Sequence, residues 1–268
     1  IMAFMLMLRR LILSCLCAGS MHTSAAEIPE VLASCARQNL PESTSTQSIE
    51  LRVMDRSHYE QVLEADIFLK RFADNRSRVM MYFNEPVDIR GARFLIMENQ
   101  PQNDMYIYMP GLFKVRRITS KNISSSVMGT DFSYEDFERI QGMLSNIRTE
   151  QLPDAELSGR PVYVLMAYPD ETSGYTKIAS YIDKDTCLPL KTEMYEHGNH
   201  LRKQMTIDPG DIRKAGAISY PAELLMKDLR DKTETRLVIK NIHIDTEIDD
   251  NLFEPEQLKN TKVPPINP

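Results

Sequence analysis

The sequence predicts a mainly β, antiparallel protein carrying two or three helices. Three observations predict it. Apolar residues recur with period two in short segments, turn-forming residues separate those segments, and helical periodicity surfaces at only a few places. The composition permits such a domain: 268 residues, 42% hydrophobic, with only 10 Gly. That is too apolar for a disordered chain and too poor in glycine for collagen or a linker. A net charge of −6 argues against nucleic acid as a partner, because phosphate binding needs surplus cations.

Residues 1–26 stand apart from the rest. Arg9 and Arg10 precede an apolar run from Leu11 to Ala18, and small residues lead to Ala25 and Ala26. These are the parts of a secretory signal peptide, with cleavage expected after Ala26. The run is too short to span a bilayer, which takes about 20 apolar residues. Cys15 loosely fits a lipobox, so lipidation there is an alternative. Loss of this segment removes two cations and no acid, which takes the charge to −8 and leaves Cys35 and Cys187 as the cysteines. In an oxidising compartment that pair is expected to form a disulfide; two separate buried thiols are the alternative.

From Glu27 to Leu40, apolar residues at three- and four-residue spacing predict a helix, with Pro29 in its first turn and Pro41 ending it. Strands are predicted next at Ser48–Asp55, Gln61–Phe72, Arg78–Asn84, Ala92–Asn99, Asp104–Met109 and Leu112–Thr119. Turn chemistry separates them, as at Asn84-Glu-Pro and Met109-Pro-Gly. The series then breaks. Ser133 with Asp136 forms a variant of the capping box, and Phe137, Ile140, Met143 and Leu144 share one apolar face, so a helix is predicted from Tyr134 to about Leu144. Strands resume at Arg160–Tyr168, Thr176–Asp183, Pro189–Tyr195, Leu201–Ile207, Ala217–Leu225 and Thr235–Ile244. No repeat or interdomain linker appears, so residues 27–268 read as one domain.

Two of these strands, Val79–Phe83 and Phe94–Met97, are apolar on both faces. A sheet with one wet face should alternate. The sheet is therefore expected to be covered on both sides, or to wrap an apolar cavity. Twelve Met after residue 26 fit either an ordinary core or an adaptable ligand surface.

Catalytic signatures are missing. There is no nucleophile elbow, zinc helix, phosphate loop or dinucleotide fingerprint, so neither an enzyme nor a cofactor is expected. His197 and His200, with Glu196, read as a polar hairpin turn; as metal ligands they would number three, where a structural zinc usually has four. Lys114, Arg116, Arg117 and Lys121 form a basic cluster that reads as a solvated strand edge or as a contact for lipid phosphates. Asp131, Glu135, Asp136 and Glu138 read as charges favoured by a helix N-terminus.

Four segments, in order, carry a likeness: Ile89-Arg-Gly-Ala-Arg-Phe-Leu, Met105-Tyr-Ile-Tyr-Met-Pro-Gly-Leu-Phe-Lys-Val-Arg-Arg-Ile, Met128-Gly-Thr-Asp-Phe-Ser-Tyr-Glu-Asp-Phe and Ile182-Asp-Lys-Asp-Thr-Cys-Leu-Pro-Leu-Lys. With them the chain resembles the outer-membrane lipoprotein-sorting protein family of the LolA-like superfamily, over roughly residues 27–258. The resemblance implies a half-open, curved antiparallel β-barrel with a helical lid. It also implies a periplasmic carrier of lipid or acylated protein, working with an inner-membrane RND-type transporter. Acyl chains would lie against Leu63, Ile67, Phe68, Met81, Phe83, Phe94, Ile96, Ile107, Met109, Val164 and Met166. The lid would present Phe137, Ile140 and Leu144. The resemblance assigns no catalytic residue; Gly91 and Gly111 read as turn residues, and Asp131 and Ser133 as caps of the lid helix.

Overall fold

A computed structural model of the chain describes residues 30–143 and 147–266. The expected signal peptide, Cys15 and Leu144 lie outside the described residues. Helix α1 (Glu30–Gln38) precedes six strands: β1 (Thr44–Met54), β2 (Glu60–Arg71), β3 (Ser77–Glu85), β4 (Arg93–Met97), β5 (Asp104–Met109) and β6 (Lys114–Ile118). Helix α2 (Tyr134–Ile140) follows. Then come β7 (Arg148–Leu157), β8 (Arg160–Tyr168), β9 (Lys177–Asp183), β10 (Pro189–Glu196) and β11 (His200–Thr206). Strands β12 (Ile212–Ala215), β13 (Ile218–Pro221), β14 (Glu223–Asp228) and β15 (Thr233–Ile244) complete the set.

Thirteen strands form one sheet in the order β6-β5-β4-β3-β2-β1-β15-β14-β11-β10-β9-β8-β7, and β12 pairs with β13 alone. Every neighbour is antiparallel, as short turns between successive strands require. The sheet is not closed: β6 and β7 are its free edges. They are also consecutive in the chain, so the segment that joins them, carrying α2, has to cross from one edge to the other.

Most of the expected strands are present within a few residues of their predicted bounds. Three differences have physical causes. Strand β7 was not expected: its sequence RTEQLPDAEL lacks apolar alternation and contains Pro153. An edge strand tolerates both, since charge and proline there discourage pairing with another chain. The segment predicted as Ala217–Leu225 splits at Ala222, which accepts from Ile239 and donates to Asp211. Helix α2 stops at Ile140, where Gln141 leaves helical geometry and Gly142 turns with φ 71°.

Both faces of the N-terminal half are buried, as the two-faced strands predict. On the inner face Leu63, Ala65, Ile67 and Leu69 of β2 join a cluster that draws on nearly every strand. On the outer face Phe68, Met80, Leu95 and Tyr108 meet the C-terminal segment through Ile248, Leu252, Phe253 and Leu258. Basic residues of that face hold the segment down. Lys70 Nζ donates to the Ile248 carbonyl at 3.0 Å, Arg78 pairs with Glu254 at 2.6 Å, and Arg93 donates to the Leu258 carbonyl.

A disulfide joins Cys35 of α1 to Cys187, with Cα atoms 5.1 Å apart. The β9–β10 turn that presents Cys187 is built on Asp183. Its fully buried carboxylate takes a two-pronged pair from Arg160 at 2.8 Å and 2.8 Å, and accepts from the Thr186 N–H and hydroxyl. This gives the Ile182-to-Lys191 motif a structural reason.

Candidate functional site

The inner face is built by register. Ile67, Met81, Phe94 and Ile107 are consecutive partners across β2, β3, β4 and β5, so their side chains form one row. Leu63, Phe83 and Ile96 lie in the same buried cluster, with Val164 reaching it from β8 and Met109 at its margin. Two expected residues are not part of it. Phe68 sits one residue out of phase with Ile67 and belongs to the outer face beneath the C-terminal segment. Met166 is partly exposed and outside both clusters.

Helix α2 completes the inner face. Phe137 is 1% exposed, and Ile140 packs on the same cluster. Phe94 meets Tyr134 at 4.9 Å between ring centroids, and Phe132 meets Phe137 at 5.2 Å. The face is thus a filled core, to which α2 contributes a buried aromatic ring.

What holds α2 in place is polar. Ser133 and Asp136 form the predicted capping box: the Asp136 N–H donates to Ser133 Oγ, and the Ser133 N–H donates to Asp136 Oδ2. The rest of the acidic set does more than favour the helix N-terminus, the role its spacing suggested. Asp131, Glu135 and Asp136 are buried. Asp136 also accepts from Tyr175 Oη at 3.0 Å and Lys203 Nζ at 3.1 Å. Asp131 accepts from the Thr233 and Thr235 hydroxyls of β15. Glu135 pairs with Arg139 at 3.0 Å and accepts from Ser173 and Gly174 of the β8–β9 loop. Glu138 accepts from Asn103 at 2.6 Å. Each group finds a partner on a different part of the sheet, as buried polar groups require. The block around Gly129 to Asp136 is therefore an anchoring device.

Burial shapes the electrostatics. It pushes the Asp131 carboxyl above its ordinary value against the Thr233 and Thr235 donors. It does the same to Glu135 against Arg139, and to Glu138 against Asn103. The Tyr175 phenol is held well above its usual value by burial beside Asp136.

Lys203 and Tyr175 were missed by sequence reasoning. Lys203 carried a signal: it interrupts the apolar alternation of Leu201, Met205 and Ile207 along and just beyond β11. Tyr175 carried none, since its partner is 39 residues away. Among the described residues no group of three or more His, Cys, Asp or Glu side chains could hold a metal, and His197 and His200 flank an ordinary hairpin turn. Lys114, Arg116 and Arg117 lie on the free edge β6, where Arg117 pairs with Asp104. No helix among the described residues is long and apolar enough to cross a membrane.

A family model described as "Uncharacterized protein" matches residues 75–260. No curated protein matches the chain. Solved structures do. A protein domain described as outer membrane lipoprotein-sorting, from Vibrio parahaemolyticus, is 24% identical, with TM-score 0.80, over 88% of this chain and all of that one. A DUF1329 family protein from Desulfovibrio piger is 20% identical, TM-score 0.78, over 85% of this chain and 96% of that one. A LolA superfamily protein from Nitrosomonas europaea is 16% identical, TM-score 0.64, over 84% and 96%. The LolA-like fold implied by the motifs is the fold of this chain.

Proposed function

This chain belongs to the family whose model spans residues 75–260 and carries the LolA-like fold, and we propose that it is a periplasmic carrier for lipid or an acylated protein. In this reading residues 27–268 form one domain, exported by cleavage after Ala26. The open sheet acts as a half-open barrel whose inner face takes acyl chains, and α2 acts as its lid. It has no catalytic task. An inner-membrane RND-type transporter is the expected partner.

The observation that carries the proposal is the mismatch in how α2 is held. Its apolar face fills the sheet, yet its attachment is a set of hydrogen bonds and ion pairs made with several separate segments. An acyl chain can replace Phe137 and Ile140 on the sheet without leaving the sheet unfilled. Each methylene so buried is worth about 0.8 kcal/mol, so affinity should climb steeply with chain length.

The test is mass spectrometry of ligands extracted from protein purified natively from its compartment. Acyl lipid in near-stoichiometric yield is expected. Met81→Glu and Met80→Glu bury the same charge on opposite faces of β3; lipid should be lost from the first and kept by the second. The filled inner face favours a second reading, an accessory protein that binds the transporter without carrying lipid. Capture of a transporter by protein that never yields lipid would decide for it.

A further inference from the structure

Seven large apolar side chains are exposed among the described residues: Val31, Tyr59, Val62, Val87, Leu112, Phe113 and Leu229. All but Val31 gather at one end of the sheet. In an antiparallel sheet the β1–β2, β3–β4, β5–β6 and β14–β15 turns share an end, and the pairing of Met54 with Glu234 puts the last beside the first. Each of these four turns carries an exposed apolar tip: Tyr59 at 70%, Val87 at 68%, Phe113 at 70% with Leu112, and Leu229 at 44%. The β3–β4 and β5–β6 turns touch, since a side chain at Gly91 would meet the Pro110 ring at 3.3 Å.

Phe113 sharpens the point. It sits in the left-handed region with φ 51°, which a bulky residue rarely adopts. Its ring is exposed, so no packing inside the protein accounts for a phenylalanine there. Next to it, Lys114 and Arg116 make no ion pair among the described residues, whereas Arg90 pairs with Glu85, and Arg230 with Glu196 and Asp231.

We propose that this rim docks the protein on the surface of a phospholipid bilayer containing anionic lipid. Separate apolar tips along one edge, with the unpaired Lys114 and Arg116 beside them, suit a flat, deformable surface that offers both an apolar layer and anionic headgroups. The tips enter the interfacial region, and Lys114 and Arg116 meet lipid phosphates. This goes beyond the carrier reading, because docking and the holding of acyl chains are separate events with separate readouts.

The chain contains no Trp, so an introduced one reports from a single place. The full chain carrying Phe113→Trp or Val87→Trp is mixed with vesicles of phosphatidylethanolamine and phosphatidylglycerol, with and without brominated acyl chains. Ala73→Trp, in the exposed β2–β3 turn at the opposite end, is the control. Blue-shifted, bromolipid-quenched emission is expected at 113 and 87 and not at 73. Phe113→Gly relieves the left-handed backbone, so it should fold, and it should weaken sedimentation with vesicles roughly tenfold. The proposal is overturned by an unshifted Trp at 113, by an equal response at 73, or by lipid-free self-association that Phe113→Gly abolishes.

Discussion

Buried charge is handled residue by residue in this protein, and in two opposite ways. At Asp183 burial raises the carboxyl, but the Arg160 fork and the Thr186 donors outweigh it and hold the group below its ordinary value. Its stabilisation is therefore present above the unfolded-state value and is lost as pH falls through the folded one. Asp183→Asn should cost about 1–3 kcal/mol, because it removes the charge from hydrogen bonds to a buried carboxylate; denaturant unfolding measures it, and a loss below the error of such curves would refute the role. Asp131, Glu135 and Glu138 behave the other way. Their folded values are raised, so the folded state keeps their protons longer, and they cost stability as pH climbs past the ordinary carboxylate range.

At the scale of an element, that sign has a consequence for α2. Amides of residues 133–141 should lose hydrogen-exchange protection, relative to the sheet, as pH rises above the ordinary carboxylate range. Glu138→Gln should flatten the trend, and protection that grows with pH would contradict the assignment. Ser133→Ala removes the cap and should cost about 0.5–2 kcal/mol, confined to the same amides. Elements also differ in how openly they show in sequence. β2 and β3 are legible because they alternate or are apolar throughout. β7 is not, because an edge strand is made polar on purpose. The acidic run at the start of α2 reads only as charge favoured by a helix N-terminus, because sequence spacing cannot show that Lys203, Tyr175, Thr233 and Thr235 come to meet it from distant parts of the chain.

For the whole molecule, two long-range ties close the fold. The disulfide spans a sequence separation of 152 residues, worth up to about 5 kcal/mol in the chain-entropy model. Cys35→Ser with Cys187→Ser should lower the denaturant midpoint accordingly, and the unreduced wild type should show no free thiol among this pair. The C-terminal segment is the second tie. Phe253 is fully buried and stacks edge-on against Phe72 at 5.8 Å. Phe253→Ala should cost about 3–5 kcal/mol and expose the outer apolar face, which dye binding and aggregation would reveal.

The sequence by itself determined the mainly β class, most strand positions and the capping box at Ser133; it pointed to a pairing of Cys35 with Cys187, which the structure settled. These rest on local signals: periodicity, turn residues and a small count of cysteines. It also showed that several strands are apolar on both faces. Only the tertiary structure decided what covers each face. Register put Ile67 inside and Phe68 outside, one residue apart. The C-terminal segment took the outer face, α2 took the inner one, and the sheet stayed open with β6 and β7 as its free edges.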